Sequence, residues 1–204
     1  GSQGVIRADD QRELKDAIAR VSRLLKSTEI AMEREAAHDS VLIEAFIPGC
    51  EYAIEGVLTK GALQVFAIFD KPDPLDGPFF EETIYVTPSR APRAIQHAIV
   101  EAVARAARAL GLRHGPVHAE CRVNDRGIYV LEVAARPIGG LCSRAIRFLA
   151  PDESLATLED VLLRHALGEP VFAYQRITEA SGVMMIPIPR PGVYRGVDGV
   201  ENAR

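Results

Sequence analysis

The chain has 204 residues and a formal net charge of −4, and 48% of its residues are hydrophobic and 25% charged. This balance is typical of a soluble globular protein with one large domain or a domain and a half, and the mild acidity excludes a broad nucleic-acid-binding surface. There is no apolar run near the roughly 20 residues that cross a bilayer, no signal peptide at the start and no paired cysteine pattern, so we expect a cytoplasmic protein without a membrane or nucleic-acid partner.

The first predicted element is an amphipathic helix. Asp10 and Glu13 have the spacing of a capping box, in which each side chain satisfies a backbone N–H of the first turn. Leucine, isoleucine and valine then recur at helical spacing to about Lys26. The charged stretch 27–40 is interpreted as a loop or an exposed helix.

A turn and a hairpin are predicted next. The apolar stretch 41–47 leads into Pro48–Gly49, a strong turn signal. Two β-prone runs, 51–58 and 63–69, flank Lys60–Gly61 and predict a hairpin.

Two more helices and a β-like tail follow. Pro92 suits the first turn of a helix, where no N–H is needed, and Gly111 ends it. The predicted buried stripe of this helix is Ile95, Ile99, Ala102, Val103, Ala106 and Leu110. A third helix is predicted over 155–165, closed by Gly168, and the chain from Val171 onward is β-like with Pro and Gly punctuation.

The most informative segment is a predicted hairpin over 117–133 that carries Glu120 and Glu132. A two-residue turn at Asp125–Arg126 sets the two glutamates on opposite faces, whereas a three-residue loop ending at Gly127 sets them directly opposite each other. The second register sorts the hairpin into an apolar and a polar face, as a half-buried strand pair requires, and a glycine suits the last position of such a loop. We therefore predict the three-residue loop.

This register assigns every side chain of the hairpin to a face. The predicted apolar face holds Ala119, Cys121, Val123, Tyr129, Leu131 and Val133, and the predicted polar face holds His118, Glu120, Arg122, Val130, Glu132 and Ala134.

Two opposed carboxylates repel unless a cation or a proton lies between them. Hard oxygen ligands suit Mg²⁺, which typically takes one or two protein carboxylates, and Arg136 follows close behind on the same side. Two other interpretations stay open at this point. The glutamates could form surface salt bridges with Arg122 and Arg136, or act as an acid/base pair in a hydrolase, although the chain has no tryptophan to line a sugar cleft.

The run from Glu132 to Arg136, with Glu120 twelve residues before it, resembles the magnesium site of ATP-grasp carboxylate–amine ligases, closest to the L-amino-acid (dipeptide) ligase-like branch. The resemblance implies that Glu120 and Glu132 bind Mg²⁺ (or Mn²⁺) that bridges the phosphates of ATP. It also implies that Arg136 is a catalytic residue that steadies the phosphoryl group and the acyl phosphate. Ala134 stands where the family's frequent pattern has Asn, which leaves a third side-chain ligand open.

A second stretch, 41–51, resembles the hinge strand and turn that hold adenosine in this family. The resemblance implies that Glu44 and the backbone of Ala45 and Ile47 contact the adenine and that Glu51 contacts the ribose hydroxyls. The alternative for Glu44 alone is an edge-strand charge that discourages aggregation.

The first residues look like the end of the family's glycine-rich loop over the phosphates, with Gly1, Ser2 and Gly4 as the contacts. Glycine and small residues let backbone N–H groups approach phosphate oxygens. A cloning scar is the competing interpretation of Gly1 and Ser2.

The loop after the first hairpin is similar to the substrate-side loop of the same branch, with Lys71 and Glu82 as candidate substrate contacts. His118, on the carboxylate face, and Gly139 and Gly140, after Arg136, are further candidates. The alternatives are solvated loop charges for Lys71 and Glu82 and a structural role for His118.

We therefore predict an α+β protein with an ATP-grasp fold, in which a largely antiparallel sheet carries helices on one side and the nucleotide on the other. The expected ATP-grasp domain spans 1–170 and lacks its first strands and the upstream domain, and 171–204 begin a C-terminal β-rich segment.

The predicted function is that of a ligase that uses ATP and magnesium to activate a carboxylate as an acyl phosphate and join it to an amine. The expected partners are ATP, a small carboxylic or amino acid and an amine nucleophile, with a homodimer left open, and we expect the 204 residues alone to be inactive. Two alternatives remain: a nucleotide-binding regulatory domain without turnover, and a metal-dependent hydrolase that uses the same glutamates.

Overall fold

The computed structural model describes residues 4–26, 40–80, 82–186 and 192–203, and this part of the chain forms two antiparallel sheets and three α-helices. The strands are β1 (Cys50–Thr59), β2 (Ala62–Lys71), β3 (Ile84–Thr87), β4 (Gly115–Asn124), β5 (Gly127–Ala134), β6 (Arg147–Leu149), β7 (Leu155–Thr157), β8 (Gln175–Arg176) and β9 (Ser181–Met184). The helices are α1 (Gln11–Leu25), α2 (Arg93–Ala109) and α3 (Leu158–Ala166), with short 3₁₀ turns at Cys142–Ala145 and Val200–Ala203.

The main sheet has six strands in the order β5-β4-β1-β2-β3-β9, and the small sheet has the order β7-β6-β8. Every recorded strand pairing is antiparallel, which confirms the predicted class. Within the described ranges, no helix has the length and apolar character of a membrane span.

The predicted capping of α1 is confirmed with a shift of one residue. The side chain of Asp10 accepts a hydrogen bond from the amide of Glu13, and Glu13 reaches back to the amide of Asp9 rather than to that of Asp10. Most of the predicted stretch 27–40 lies outside the described residues.

The β1–β2 hairpin is confirmed, and its turn is the predicted Lys60–Gly61 pair, with φ of 53° and 89°. Positive φ at both central residues is the signature of a turn that matches the twist of the two strands. The hinge strand that the resemblance of 41–51 implied is not formed before Cys50, since residues 40–49 form neither helix nor strand. The chain enters the sheet only after Gly49, whose φ is +132° and which packs so tightly that an added Cβ would lie 2.3 Å from the carbonyl oxygen of Val123.

Helix α2 begins at Arg93, one residue after Pro92, and ends before Gly111. Its buried residues are Ile99, Ala102, Val103 and Ala107. The predicted stripe is therefore correct at its centre, but Ala107 replaces Ala106 and Leu110 is exposed. This stripe packs on one face of the main sheet with Ile54, Leu58, Ile68, Val117, Ala119 and Cys121.

The opposite face of the main sheet is also covered, over part of its area, by the small sheet and α3. Alternate residues of β1 and β2, such as Ala53, Val57 and Phe69, pack there against Phe148 and Leu158. The expectation that helices lie on one side only is therefore wrong. The rest of this face carries charged side chains, described below.

Helix α3 is shorter than predicted because Thr157 forms a capping box with Asp160 and fixes the start at Leu158. The predicted first residue, Leu155, belongs to β7. After α3, Val171 is buried in the core, and β9 joins the edge of the main sheet beside β3.

Candidate functional site

The β4–β5 hairpin places Glu120 directly opposite Glu132, as predicted. The predicted three-residue loop is nevertheless wrong, because the turn has only two residues, Asp125–Arg126, and Gly127 is already the first residue of β5. A β-bulge restores the predicted pairing: Leu131 has no partner of its own, so one extra residue enters β5 between the turn and Glu132.

The bulge also changes which residues of β5 face the helix. Ile128 and Val130 pack under α2, whereas Tyr129 lies opposite Arg122 on the charged face. The predicted faces of Val130 and Tyr129 are therefore interchanged, and Leu131 is 42% exposed.

A group of seven ionisable side chains, which we call the charged cluster, lies on this face beside the small sheet. Its members are Glu51, Glu55, Lys71, Glu82, His118, Glu120 and Arg122.

Lys71 lies at the centre of the charged cluster. Its Nζ is 2.7 Å from Glu51 Oε1, 2.7 Å from Glu120 Oε1 and 3.3 Å from Glu82 Oε1. The Tyr85 hydroxyl donates to the same oxygen of Glu120 at 3.4 Å. Burial disfavours the ammonium, but the carboxylates of Glu120 and Glu51 outweigh it and raise the pKa of Lys71 above its usual range.

Arg122 connects the charged cluster to two loops. Its Nε donates to Glu51 Oε2 at 2.8 Å, and its two terminal nitrogens donate to the carbonyls of Ile47 at 2.7 Å and Leu75 at 2.5 Å. Its guanidinium also lies 5.2 Å from the ring centroid of Phe46. The predicted hinge is therefore attached to the charged cluster through Arg122.

His118 lies between two carboxylates, with Nδ1 3.7 Å from Glu55 Oε2 and Nε2 3.7 Å from Glu120 Oε1. Burial opposes protonation of this ring, but Glu120 and Glu55 overcome it and raise the pKa of His118 to about 9. Burial also raises the pKa of Glu120, but His118 and Lys71 have the larger effect and lower it to about 2. Glu120 is thus an ionised, mostly buried carboxylate.

Glu55 is a member of the charged cluster that sequence reasoning missed. It is fully buried, burial raises its pKa, and its Oε2 accepts the amide of Ile138 at 2.9 Å. Glu55 Oε1 and His118 Nδ1 have no hydrogen-bond partner among the described residues. An acidic residue between Ile54 and Val57, in a strand that is otherwise apolar at this point, was the available signal.

Four other predicted site residues lie at the surface. Glu132 and Arg136 are about half exposed, with side chains 55% and 51% accessible, and form a 3.7 Å ion pair. Gly139 and Gly140 are exposed beside Ile138, whose amide is held by Glu55.

The predicted nucleotide contacts differ in exposure and surroundings. Glu44 and Ala45 are exposed, and Ile47 is half-buried. Gly4 lies beside Leu24 of α1, and Gly1 and Ser2 lie outside the described residues.

Glu51, the predicted ribose contact, has both carboxylate oxygens engaged, by Lys71 and Arg122. Its contact with the ribose stays a prediction, and each oxygen has a further lone pair that can accept a hydroxyl.

The glutamate pair fits a Mg²⁺ ion by the chemistry of its donors. Glu120 and Glu132 offer hard oxygen ligands from opposed positions on one face, and Ala134 adds no side-chain oxygen. Within the described part of the chain, no group of three or more His, Cys, Asp or Glu side chains is arranged to hold a metal. Two carboxylates suit Mg²⁺, which takes one or two protein carboxylates and completes its shell with phosphate and water.

Comparisons with known proteins agree on one family. A family model described as an ATP-grasp domain matches residues 1–145. Carnosine synthase 1 of Gallus gallus is 34% identical over 162 residues, which is 78% of this chain and 17% of that protein.

Solved structures give the same result. The L-amino acid ligase from Bacillus licheniformis superposes with a TM-score of 0.76 at 30% identity, over 98% of this chain and 48% of that one. Phosphoribosylglycinamide synthetase from Anaerococcus prevotii, at 18% identity and a TM-score of 0.56, covers 88% of this chain and 50% of its own and shares the fold. The chain spans about half or less of the length of these relatives.

Proposed function

Because the chain belongs to the ATP-grasp family, in the carboxylate–amine ligase branch, we propose that it is the ATP- and magnesium-binding part of an enzyme that activates a carboxylate as an acyl phosphate and joins it to an amine. The observation that supports this most directly is the opposed pair Glu120–Glu132 on the charged face.

In this proposal Glu120 and Glu132 hold Mg²⁺ (or Mn²⁺), which neutralises negative charge on the phosphates of ATP when it is bound. Arg136 stabilises the phosphoryl group during transfer. Its side chain is half exposed and, among the described residues, contacts Glu132 at 3.7 Å and the carbonyl of Pro137, so the guanidinium is accessible to a ligand. Positioning and charge neutralisation account for most catalysis of phosphoryl transfer.

The nucleotide is proposed to bind through the hinge residues Glu44, Ala45 and Ile47 and, over its phosphates, through Gly1, Ser2 and Gly4. The anchoring of Ile47 by Arg122 supports a fixed position for the hinge.

The substrate is proposed to be a small carboxylic or amino acid, with an amine as the second substrate. The charged cluster offers both signs of charge to such a molecule. Glu82, with a side chain 27% exposed, suits an ammonium group. His118, which is buried beside Glu120, suits a carboxylate or phosphate that approaches the glutamate pair.

The proposed domain division is an ATP-grasp domain over 1–170 followed by the start of a C-terminal β-rich segment over 171–204. The pairing of β9 with β3 indicates that this segment packs onto the domain.

The first test measures binding of a non-hydrolysable ATP analogue by calorimetry, with and without Mg²⁺. We expect Glu120→Gln and Glu132→Gln each to weaken the magnesium-dependent binding about tenfold, because each removes one charged ligand. Glu101→Gln, an exposed glutamate on α2, is the matched control. Equal binding with and without Mg²⁺, or equal effects of all three variants, would contradict the metal assignment.

The second test concerns turnover in the full-length protein. Phosphate release from ATP that depends on an added amino acid, together with amide formation, supports the ligase. Nucleotide binding without phosphate release favours the regulatory alternative, and hydrolysis of an amide or phosphate without ATP favours the hydrolase.

A further inference from the structure

The ammonium of Lys71 occupies a site that three carboxylates build around it. Glu51 on β1, Glu120 on β4 and Glu82 before β3 place one oxygen each at 2.7, 2.7 and 3.3 Å from Nζ. The lysine side chain is 3% exposed. The described structure thus surrounds one cation with acidic oxygens from three different parts of the chain.

This arrangement is required by electrostatics. Carboxylates that converge in a buried region cannot all ionise unless a positive charge lies among them. A buried ammonium, in turn, is tolerated only when acids pair with it. Lys71 therefore balances part of the negative charge at Glu120, whose Oε1 also lies 3.7 Å from His118 Nε2.

Glu120 is shared between this site and the proposed metal site. Its Oε1 contacts Lys71, while its strand position is directly opposite Glu132. A divalent ion at the glutamate pair would therefore share a ligand with the ammonium and would be repelled by it. The phosphates of a nucleotide carry enough negative charge to offset that repulsion.

We propose that Lys71 is a positioning residue that acts as a tethered cation: it holds Oε1 of Glu120 and lowers the affinity of the Glu120–Glu132 pair for a free divalent ion, so that metal binds together with nucleotide. This rests on the proposed function, because it assumes that the glutamate pair holds the metal. Lys71 acts through Glu120 and does not itself need to touch ATP.

The test measures Mn²⁺ binding to the nucleotide-free chain, by the electron paramagnetic resonance signal of the unbound ion. Removing the positive charge with Lys71→Met should tighten Mn²⁺ binding about tenfold, because the repulsion is lost and a carboxylate becomes available. Lys71→Arg keeps the charge and should bind Mn²⁺ weakly, like the original chain. Lys15→Met, which removes the same charge from the exposed face of α1, is the matched control.

Thermal unfolding gives a second readout that needs no activity. In EDTA, Lys71→Met should unfold at a lower temperature than the original chain, and Mn²⁺ at the glutamate pair should restore much of the loss by balancing the charge of Glu120. Lys71→Gln is the fallback variant, because its amide can still donate to a carboxylate without carrying charge.

Mn²⁺ binding to folded Lys71→Met or Lys71→Gln that is no tighter than in the original chain would overturn the proposal. So would a failure of both variants to fold in Mn²⁺ as well as in EDTA, because Lys71 would then be required for folding and not for the metal affinity of the glutamate pair. The proposed function fails separately, if Glu120→Gln and Glu132→Gln leave the metal-dependent binding of the ATP analogue unchanged.

Discussion

At the scale of single residues, glutamates of the charged cluster contribute unequally to the stability of the fold. Glu51 is 8% exposed and forms ion pairs with Lys71 and Arg122. The side chain of Glu82 is 27% exposed and forms one longer ion pair, with Lys71. Breaking a buried pair leaves an uncompensated charge in a poorly solvated region, while a partly exposed pair exchanges its partner for water.

The first prediction compares these two glutamates. We expect Glu51→Gln to lower the free energy of unfolding by about 3–5 kcal/mol, because Lys71 and Arg122 both lose a charged partner. Glu82→Gln should cost about 1 kcal/mol or less, since its contact is long and partly solvated. Urea unfolding at pH 7 in EDTA measures both, and equal losses would contradict the ranking.

The second prediction concerns the pH dependence that His118 contributes. Its pKa is about 9 in the folded chain against 6.5 for the free side chain, so the contact with Glu55 and Glu120 stabilises the fold fully below about pH 6.5 and is lost as pH rises towards 9. Unfolding in EDTA should show the original chain losing about 1–3 kcal/mol across this window. His118→Gln, which cannot titrate, should lose less, and parallel profiles for the two proteins would refute the assignment.

At the scale of secondary-structure elements, each hairpin of the main sheet combines a two-residue turn with a β-bulge. The β1–β2 turn has positive φ at both Lys60 and Gly61, and Phe66 is the extra residue where the pairing shifts beside Gly56. In the β4–β5 hairpin the extra residue is Leu131, and the pairing shifts before Glu132 is reached. In each hairpin the turn and the bulge therefore set the register together.

The third prediction tests the β1–β2 turn. Lys60 is exposed and has a left-handed backbone, which Asn adopts more easily than Lys. Lys60→Asn should raise the free energy of unfolding by about 0.5–1 kcal/mol, and Gly61→Ala should lower it by about 1–2 kcal/mol. The two changes are measured by thermal unfolding, and opposite signs are required for the turn assignment to stand.

How much of these elements follows from sequence depends on whether the cause is local. Asp10 and Glu13 cap α1 through contacts within one turn. The turn at Lys60–Gly61 depends on the local backbone conformation that Gly61 favours, so both features were predictable. The pairing of Glu120 with Glu132 was predicted by sorting polar from apolar side chains, but the reason was wrong. A bulge in β5 and a three-residue loop each add one residue between Glu120 and Glu132, and the sequence does not distinguish the two.

The site could be predicted only in part for the same reason. Glu120, Glu132 and Arg136 lie in one continuous segment. The partners of Lys71 are instead set by the order of strands in the sheet, since β2 and β4 both flank β1. The alternation of a single strand does not reveal which acid of another strand meets a given lysine. Glu55 was missed because its partner, His118, lies on β4, 63 positions away.

At the scale of the whole molecule, the chain after α3 is part of the same body as the chain before it. Val171 is 3% exposed in the core, and Val183 and Met185 pack against that core. β3 is joined to β2 by a single register pair but to β9 by four. Most of the recorded ladder pairs of β3 are therefore with β9, while the Thr87 hydroxyl and the Tyr85 ring contact Ile68 and Phe69 of β2.

The fourth prediction concerns the stability of two truncated chains. A chain ending at residue 186 should unfold at nearly the same urea concentration as the full chain, because the residues after it that the structure describes are mostly exposed. A chain ending at residue 170 should be destabilised by several kcal/mol, about 1.5–3 kcal/mol for each large buried side chain that it loses, and should unfold less cooperatively. Equal stability of the two truncated chains would show that β9 contributes little.

The pairing of β3 with β9 also has a consequence for synthesis on the ribosome. Tyr85 pairs with Val183, roughly 100 residues later in the chain, and translation covers that distance in on the order of 5 to 20 seconds. The hairpins of β1 with β2 and of β4 with β5 involve near neighbours and can form during this interval. The edge of the sheet at β3 stays open to other chains until β9 emerges, so a pause in translation between these two strands should increase aggregation of the nascent protein.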